Sequence, residues 1–332
     1  MSAPVEEPSA AAVRTRVLAR RVVLASVLGA LVVIALSLYG DVHALSASLR
    51  AFSPLAFLGA LALASGNYVL RFARWQYYLG RLDVRVPLGE SALVFLAGFV
   101  MSVTPGKVGE VLKSVLLFES RAIPIARTAP IVVAERLTDL VALVALTALG
   151  SLSFDRGVPI AIGGAVIVGA ILVAAAWRPL GEALLRLAGR IPGLRRIAPR
   201  LREAYESLHV LTRPAPLVMG GAIATVAWGL ECAALGVVLQ GLSAPALDWR
   251  GVTFAYSAPT IAGALAMMPG GLGVTEAGMT GLLRALTHDA MPVSVATAAT
   301  ILVRLATLWW AVGVGLVALV AFRRMLRNKR GT

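Results

Sequence analysis

Apolar residues in this chain come in long runs, not in the short alternations that mark strands. Six runs approach or exceed the roughly 20 residues that a membrane-spanning helix needs: about 22–40, 54–79, 126–153, 158–177, 215–240 and 291–322. Two further runs are broken in the middle. Residues 88–104 lead into Thr104-Pro105-Gly106-Lys107-Val108-Gly109-Glu110, and a short arm follows from Val111 to Phe118. Residues 251–268 lead into Met268-Pro269-Gly270-Gly271-Leu272-Gly273, followed by Val274 to Leu286. Each arm is short for a span, and Pro and Gly interrupt a helix by removing an N–H donor and by loosening the backbone. The two pairs read as re-entrant hairpins, whose broken backbone is tolerated at membrane depth only when buried in protein or lining a watery cavity. The pattern predicts an all-α, polytopic integral membrane protein.

Composition agrees. The chain has 332 residues, 58% hydrophobic and 14% charged, where soluble domains carry about 25% charged residues; its mean hydropathy is +0.83. A net charge of +14 would suggest nucleic acid in a soluble protein. Here the basic residues gather in loops on one side of the spans, the positive-inside pattern, and nucleic acid is not an expected partner. With the N-terminus in the cytoplasm, the inner segments are the N-terminal arm, 71–87, the flanks of the first hairpin, 178–214 and the tail from Arg323 to Arg330; the outer ones hold isolated charges such as Asp41, Arg50, Asp248 and Arg284. The expected location is the cytoplasmic membrane, with both termini cytoplasmic. Arg14, Arg16, Arg20 and Arg21 before Val22 to Tyr39 resemble a signal peptide, but no small-residue cleavage site follows, so a retained span is expected.

The expected domains are a disordered, basic arm at 1–21, one transmembrane domain at 22–322 and a basic tail at 323–332. Within 178–214, Leu194, Ile197, Leu201, Ala204, Tyr205 and Leu208 recur at helical spacing among arginines, which predicts a surface helix against anionic headgroups. Cys232 is the one cysteine, and His43, His209 and His288 lie far apart. No intrachain disulfide, metal site or cofactor is expected.

The second half repeats the first. Pro105-Gly106-Lys107-Val108-Gly109-Glu110 aligns with Pro269-Gly270-Gly271-Leu272-Gly273, with Glu276 slightly displaced, and Glu135-Arg136-Leu137-Thr138-Asp139-Leu140 aligns with Val303-Arg304-Leu305-Ala306-Thr307-Leu308. Repeat one is about 54–153, repeat two about 215–322, and 178–214 connects them. The loop charges place the two in opposite orientations, so the hairpins enter from opposite faces. Inverted-topology repeats are the architecture of many secondary transporters, with the substrate site near the midplane between repeats.

An ionisable side chain at the bilayer centre costs about 2.5–3.5 kcal/mol on insertion scales, so the charges in the apolar runs are the candidate site: Glu110, Lys113, Glu135, Arg136, Asp139, Glu231, Glu276 and Arg304. Glu110 and Lys113 share a helix face, as do Glu135 and Asp139. Arg136 points elsewhere and needs a partner on another segment, such as Glu110 or Glu276. After each Pro-Gly turn a helix begins inside the membrane with unpaired N–H groups and a positive dipole end, and Lys107 sits at the first tip. With Pro105, Gly106, Gly109, Pro269, Gly270, Gly271 and Gly273 leaving the backbone open, the tips suit a phosphate or carboxylate, although the spacing is not that of a nucleotide-binding loop. The competing reading is that the glycines serve close helix packing and the charges form structural ion pairs. Arg71 and Arg74 lie near the cytoplasmic interface, where snorkelling to the headgroups is the ordinary role and gathering anionic lipid a second one. Trp75, Trp309 and Trp310 read as anchors or packing residues.

From about Leu55 to Leu319, the ordered set Arg71-Phe72-Ala73-Arg74-Trp75, Thr104 to Glu110, Glu135 to Asp139 and Pro269-Gly270-Gly271-Leu272-Gly273-Val274-Thr275-Glu276 resembles the transmembrane, flippase-like domain family of lysylphosphatidylglycerol synthases. The resemblance implies movement of a lipid between leaflets. It does not carry over the synthase activity, because no soluble aminoacyl-transferring domain accompanies the spans, and stand-alone relatives are linked to other lipids. The expectation is therefore a translocase, not an enzyme, for a phospholipid or other polar-headgroup lipid, with anionic or phosphate-bearing lipids as partners and homo-oligomerisation left open. The alternatives are a secondary transporter of a small solute, and a membrane enzyme or accessory subunit of glycolipid or lipid-linked glycan synthesis.

Overall fold

The computed structural model describes residues 42–104, 109–152, 157–176 and 198–331, with a few single positions between 177 and 197. The first predicted span, Pro105, Gly106, Lys107 and Val108 of the first hairpin, and part of the arginine-rich connector, chiefly 188–197, lie outside them. The described residues form helices and turns without a strand, and the chain is an all-α membrane protein.

Helix α1 (Val42–Ala51) occupies what reads in the sequence as a loop; Ala44, Leu45, Ala47 and Leu49 favour a helix, and Leu45 is buried where α1 packs on the second half. The first half then runs α2 (Pro54–Arg81), α3 (Leu88–Ala97, prolonged by a tighter turn over Gly98–Met101), α4 (Leu112–Arg121) and α5 (Ile125–Ser151). Helices α6 (Gly157–Ala176) and α7 (Ala198–Leu211) lead to the second half. That half runs α8 (Pro214–Gly241), α9 (Trp249–Leu265), a tight turn over Pro269–Gly271, α10 (Val274–Leu286), and α11 (Val293–Arg304), which passes through a π-helical turn at Leu305–Trp309 into α12 (Trp310–Gly331). The two halves share one order: a long helix, an arm, a tip, a short arm and a long closing helix. The correspondence is closest in α2 and α8, each of 28 residues and each opening on proline, whose missing N–H costs nothing in a first turn. Among the described residues, three helical stretches are long and apolar enough to cross a membrane: Pro54–Arg81, Pro214–Gly241 and Val293–Lys329. Helix α5 has 27 residues but carries Glu135, Arg136 and Asp139 in its length.

Packing interlocks the halves. Helices α2 and α8 lie against each other in the broadest helix–helix contact; α9 packs on α5, and reciprocally α3 packs on α12. Each closing helix thus supports the hairpin arm of the other half. Two large buried clusters mix residues of both: one holds Trp75, Tyr78, Phe95 and Phe99 with Phe322, the other Leu143 and Leu146 with Leu235, Val238 and Tyr256. Glycines permit the crossings, as small residues do where membrane helices touch. A Cβ on Gly150 of α5 would lie 2.7 Å from the carbonyl oxygen of Arg250 and 2.8 Å from the nitrogen of Phe254 on α9. One on Gly315 of α12 would lie 2.7 Å from the nitrogen of Val100 and 3.1 Å from the oxygen of Leu96. Backbone cannot yield as a side chain can. Gly315→Ala is therefore expected to cost about 1–3 kcal/mol, the usual penalty of overpacking, whereas Gly313→Ala, with open space at its Cβ, should be neutral or gain a little helix propensity. Thermal unfolding in one detergent checks this; equal melting of the two variants would remove the close crossing.

The tail predicted at 323–332 is helical to Gly331 and is tied to the first hairpin. Lys329 and Arg121 reach the same Glu90 carboxylate at 2.9 and 2.8 Å, and Arg323 reaches Glu119 at 2.6 Å. Burial alone would raise the Glu90 carboxyl, but hydrogen bonds from Arg121 and Lys329 outweigh it and hold it at about 2. In the connector, α7 does more than lie among headgroups: it packs on α5, with Leu211 buried, while Arg200 and Arg202 stay exposed.

Candidate functional site

Helix α5 delivers Glu135, Arg136 and Asp139 near its middle, and its neighbours meet each of them. Lys113 of α4 places its ammonium 2.5 Å from Glu135 and 3.5 Å from Glu110. Arg136 reaches Glu110 at 3.3 Å and Asp139, one turn along its own helix, at 3.1 Å. Arg74 of α2 sits 2.8 Å from Asp139 and donates to the Thr138 hydroxyl at 3.0 Å. Arg71, one turn earlier on α2, approaches Glu110 at 3.7 Å and stacks over the Phe99 ring at 5.1 Å. Four cations and three carboxylates thus form one buried chain. This corrects the snorkelling expectation for Arg71 and Arg74: they are 6% and 0% exposed, held inward because Glu110, Asp139 of α5 and the Phe99 ring meet them there. Trp75 is buried as well, as a packing residue, with the Lys113 ammonium over its ring at 4.9 Å.

The second hairpin is braced differently. Gly270, Gly271 and Gly273 adopt positive φ of 63°, 71° and 87°, which glycine alone takes without strain. Glu276 turns back to accept the Gly273 N–H at 2.6 Å. Arg304, the counterpart of Arg136, binds that Glu276 at 2.6 Å and the Gly270 carbonyl at 2.5 Å. The N-terminus of α10, which reads in the sequence as open to an anion, is thus occupied by the chain's own carboxylate. At the first hairpin the described part of the tip is closed by the Thr104 hydroxyl, which accepts the Gly109 N–H at 2.9 Å.

Between these two systems lies a cavity of about 310 Å³. Both halves line it, with matching elements: Arg71 of α2 and Glu231 of α8, Arg136 of α5 and Arg304 of α11, Thr104 of the first tip and Gly270 and Gly271 of the second. Arg136 keeps about a quarter of its side chain exposed there. Nε of Arg136 and Nε of Arg71 are buried without a hydrogen-bond partner among the described residues, while Nη2 of Arg71 faces Glu110. The rest of the lining is mostly apolar or aromatic, with Ser102, Thr260 and Thr275 among it, and Leu265, Met267 and Met268 all line the cavity and are exposed. The π-helical turn after Arg304 brings Thr307 into the lining, and its carbonyl accepts the Tyr68 hydroxyl at 2.8 Å; such turns recur where a helix must aim side chains into a site.

Of the candidates read from sequence, Arg71, Arg136, Asp139, Arg304, Glu231, Gly270 and Gly271 line the cavity; Glu110 and Glu276 stand behind the arginines and hold them. Arg74, Lys113 and Glu135 belong to the ion-pair chain and do not line it, and Lys107 lies outside the described residues. Of the two partners the sequence allows Arg136, Glu110 and Glu276, it pairs with Glu110, and Glu276 pairs with Arg304. Tyr68, Trp228, Tyr256 and Thr307 line the cavity and went unnoticed as site residues, because an aromatic or a threonine in an apolar run carries no mark of which way it faces. No cluster among the described residues could hold a metal ion.

The family model described as the lysylphosphatidylglycerol synthase TM region matches residues 22–315. No curated protein matches the chain.

Proposed function

We propose a function from the premise that the chain belongs to the lysylphosphatidylglycerol synthase transmembrane-region family: it is a lipid translocase, not an enzyme, that moves an amphiphile with a phosphate-bearing headgroup between leaflets of the cytoplasmic membrane. The observation that carries this is the convergence of Arg71, Arg136 and Arg304, from both halves, on one cavity that is also lined by the exposed apolar residues Leu265, Met267 and Met268. Guanidinium groups hold a phosphate through paired N–H donors, and the exposed apolar wall gives acyl chains a place beside the headgroup. A sealed polar cavity would instead suit a small solute. The interlocked halves support the alternating-access scheme of inverted repeats, in which each half rocks against the other about a central site, with the termini cytoplasmic as the loop charges indicate.

The test is reconstitution into liposomes containing a trace of a fluorescent phosphatidylglycerol, followed by a membrane-impermeant quencher. The protein should make the inner-leaflet pool accessible at a rate well above protein-free vesicles. A rate equal to theirs, alongside protein-dependent uptake of a soluble phosphodiester, would replace the lipid reading with the small-solute one.

A further inference from the structure

Helices α2 and α8 are matched residue for residue when counted from Pro54 and Pro214, and both put an aromatic and a charge into the cavity. Fourteen residues on from each proline stand Tyr68 and Trp228; seventeen on stand Arg71 and Glu231 (71 − 54 and 231 − 214). The charges are opposite. Glu231 is 7% exposed, and no Lys or Arg among the described residues lies within ion-pair distance of it. Among the described residues its one hydrogen-bond partner is the Tyr256 hydroxyl of α9, which donates to it at 2.5 Å. Every other carboxylate around the cavity has a cation in contact. The charged and titratable groups facing the Glu231 side of the cavity are Arg71 and Tyr68 from α2, Tyr256 from α9, Arg136 and Asp139 from α5, and Arg304 from α11.

The charges balance in a telling way. The first hairpin's system holds Arg71, Arg74, Lys113 and Arg136 against Glu110, Glu135 and Asp139; the second holds Arg304 against Glu276. Among the described residues their sum is one positive charge, and an ionised Glu231 cancels it. When a monoanionic phosphodiester enters, an ionised Glu231 would leave a net negative charge inside the membrane, where uncompensated charge is costly. A proton on Glu231 restores the balance.

We propose that Glu231, with Tyr256, is a proton site coupled to the arginine site: the cavity gains one proton on the Glu231 carboxylate for each monoanionic phosphodiester it binds, and gives up that proton to water when the anion leaves. This deepens the translocase reading and rests on it. It makes the cargo cycle electroneutral, so that a pH gradient can drive the lipid while a membrane potential alone does little.

The test uses the full chain in detergent with dihexanoyl-phosphatidylglycerol below its micellar concentration. Calorimetry in buffers of different ionisation enthalpy counts protons. Wild type should take up about one proton per ligand, with affinity falling about tenfold per pH unit on the alkaline side, as linkage requires for one proton. Glu231→Gln, close in shape and still able to accept from Tyr256, should bind with proton uptake near zero and with affinity nearly independent of pH. Binding by wild type that depends on Arg136 but takes up no proton, or equal uptake in Glu231→Gln, would overturn the proton site and leave the anion site standing. No binding by wild type, or binding unchanged in Arg136→Ala, would remove both.

Discussion

Arg136→Lys is expected to slow leaflet exchange about ten- to a hundredfold while barely changing the melting temperature. Arg136 spans Glu110 and Asp139 through one nitrogen and keeps Nε without a partner beside the cavity. A lysine retains the charge, so both carboxylates stay compensated, but it loses the planar fork that engages a phosphate at two points. A hydrogen bond to a charged group contributes about 1.5–3 kcal/mol, and each ~1.4 kcal/mol is a factor of ten, which sets the range. Arg136→Ala is a usable companion. The sequence suggests that removing this arginine strands a carboxylate, but Glu110 retains Lys113 and Arg71, and Asp139 retains Arg74. Alanine should therefore slow exchange at least as much as lysine does, at a modest cost in stability. The measurement is quencher accessibility of a headgroup-labelled phospholipid in proteoliposomes. Wild-type rates in both variants, well folded, would return Arg136 to a purely structural role.

Much of the architecture can be read from the chain because membrane helices announce themselves by length and their breaks by Pro and Gly. The span predicted at 54–79 is α2 at Pro54–Arg81, and the one at 126–153 is α5 at Ile125–Ser151. The second hairpin's arm at 274–286 agrees at both ends. The charges were equally visible, since an Arg or Glu in an apolar run is conspicuous. Their partners were not. Spacing along one helix shows that Glu110 and Lys113 can meet, yet Lys113 bonds most closely to Glu135, which lies on α5. Arg71 and Arg74 sit near a basic run and look interfacial; only the placement of Glu110 and α5 beside α2 shows them turned inward. The same holds for Tyr256 and Glu231, 25 residues apart on two helices that a linear pattern does not bring together. The π-helical turn at Leu305–Trp309 has no sequence signal, because its register shift comes from packing. Periodicity reports which residues a helix buries, not what they meet.

Lys113→Met is expected to destabilise the protein by about 3–5 kcal/mol, the loss seen when one partner of a buried pair is removed. Lys113 is 1% exposed and Glu135 is fully buried, and no other cation among the described residues forms an ion pair with Glu135. The stem lies against Gly98, and the ammonium sits over Trp75 and Phe95 at 4.9 and 5.4 Å. Methionine fills the stem's space but leaves the Glu135 carboxylate charged in an apolar surround, where water cannot reach it. Glu110 suffers less, because Arg136 and Arg71 remain. Adding Glu135→Gln should recover most of the loss, since an uncharged pair of similar volume needs no compensation. The double variant also separates scaffold from site. Neither residue lines the cavity, so a refolded Lys113→Met/Glu135→Gln protein should exchange lipid at close to the wild-type rate. Thermal unfolding in detergent gives the first half of the result and proteoliposome exchange the second. A double variant that melts like wild type but does not move lipid would place Lys113 and Glu135 in the translocation path, and the buried ion-pair chain would then be part of the moving machinery instead of the frame that holds Arg136 in place.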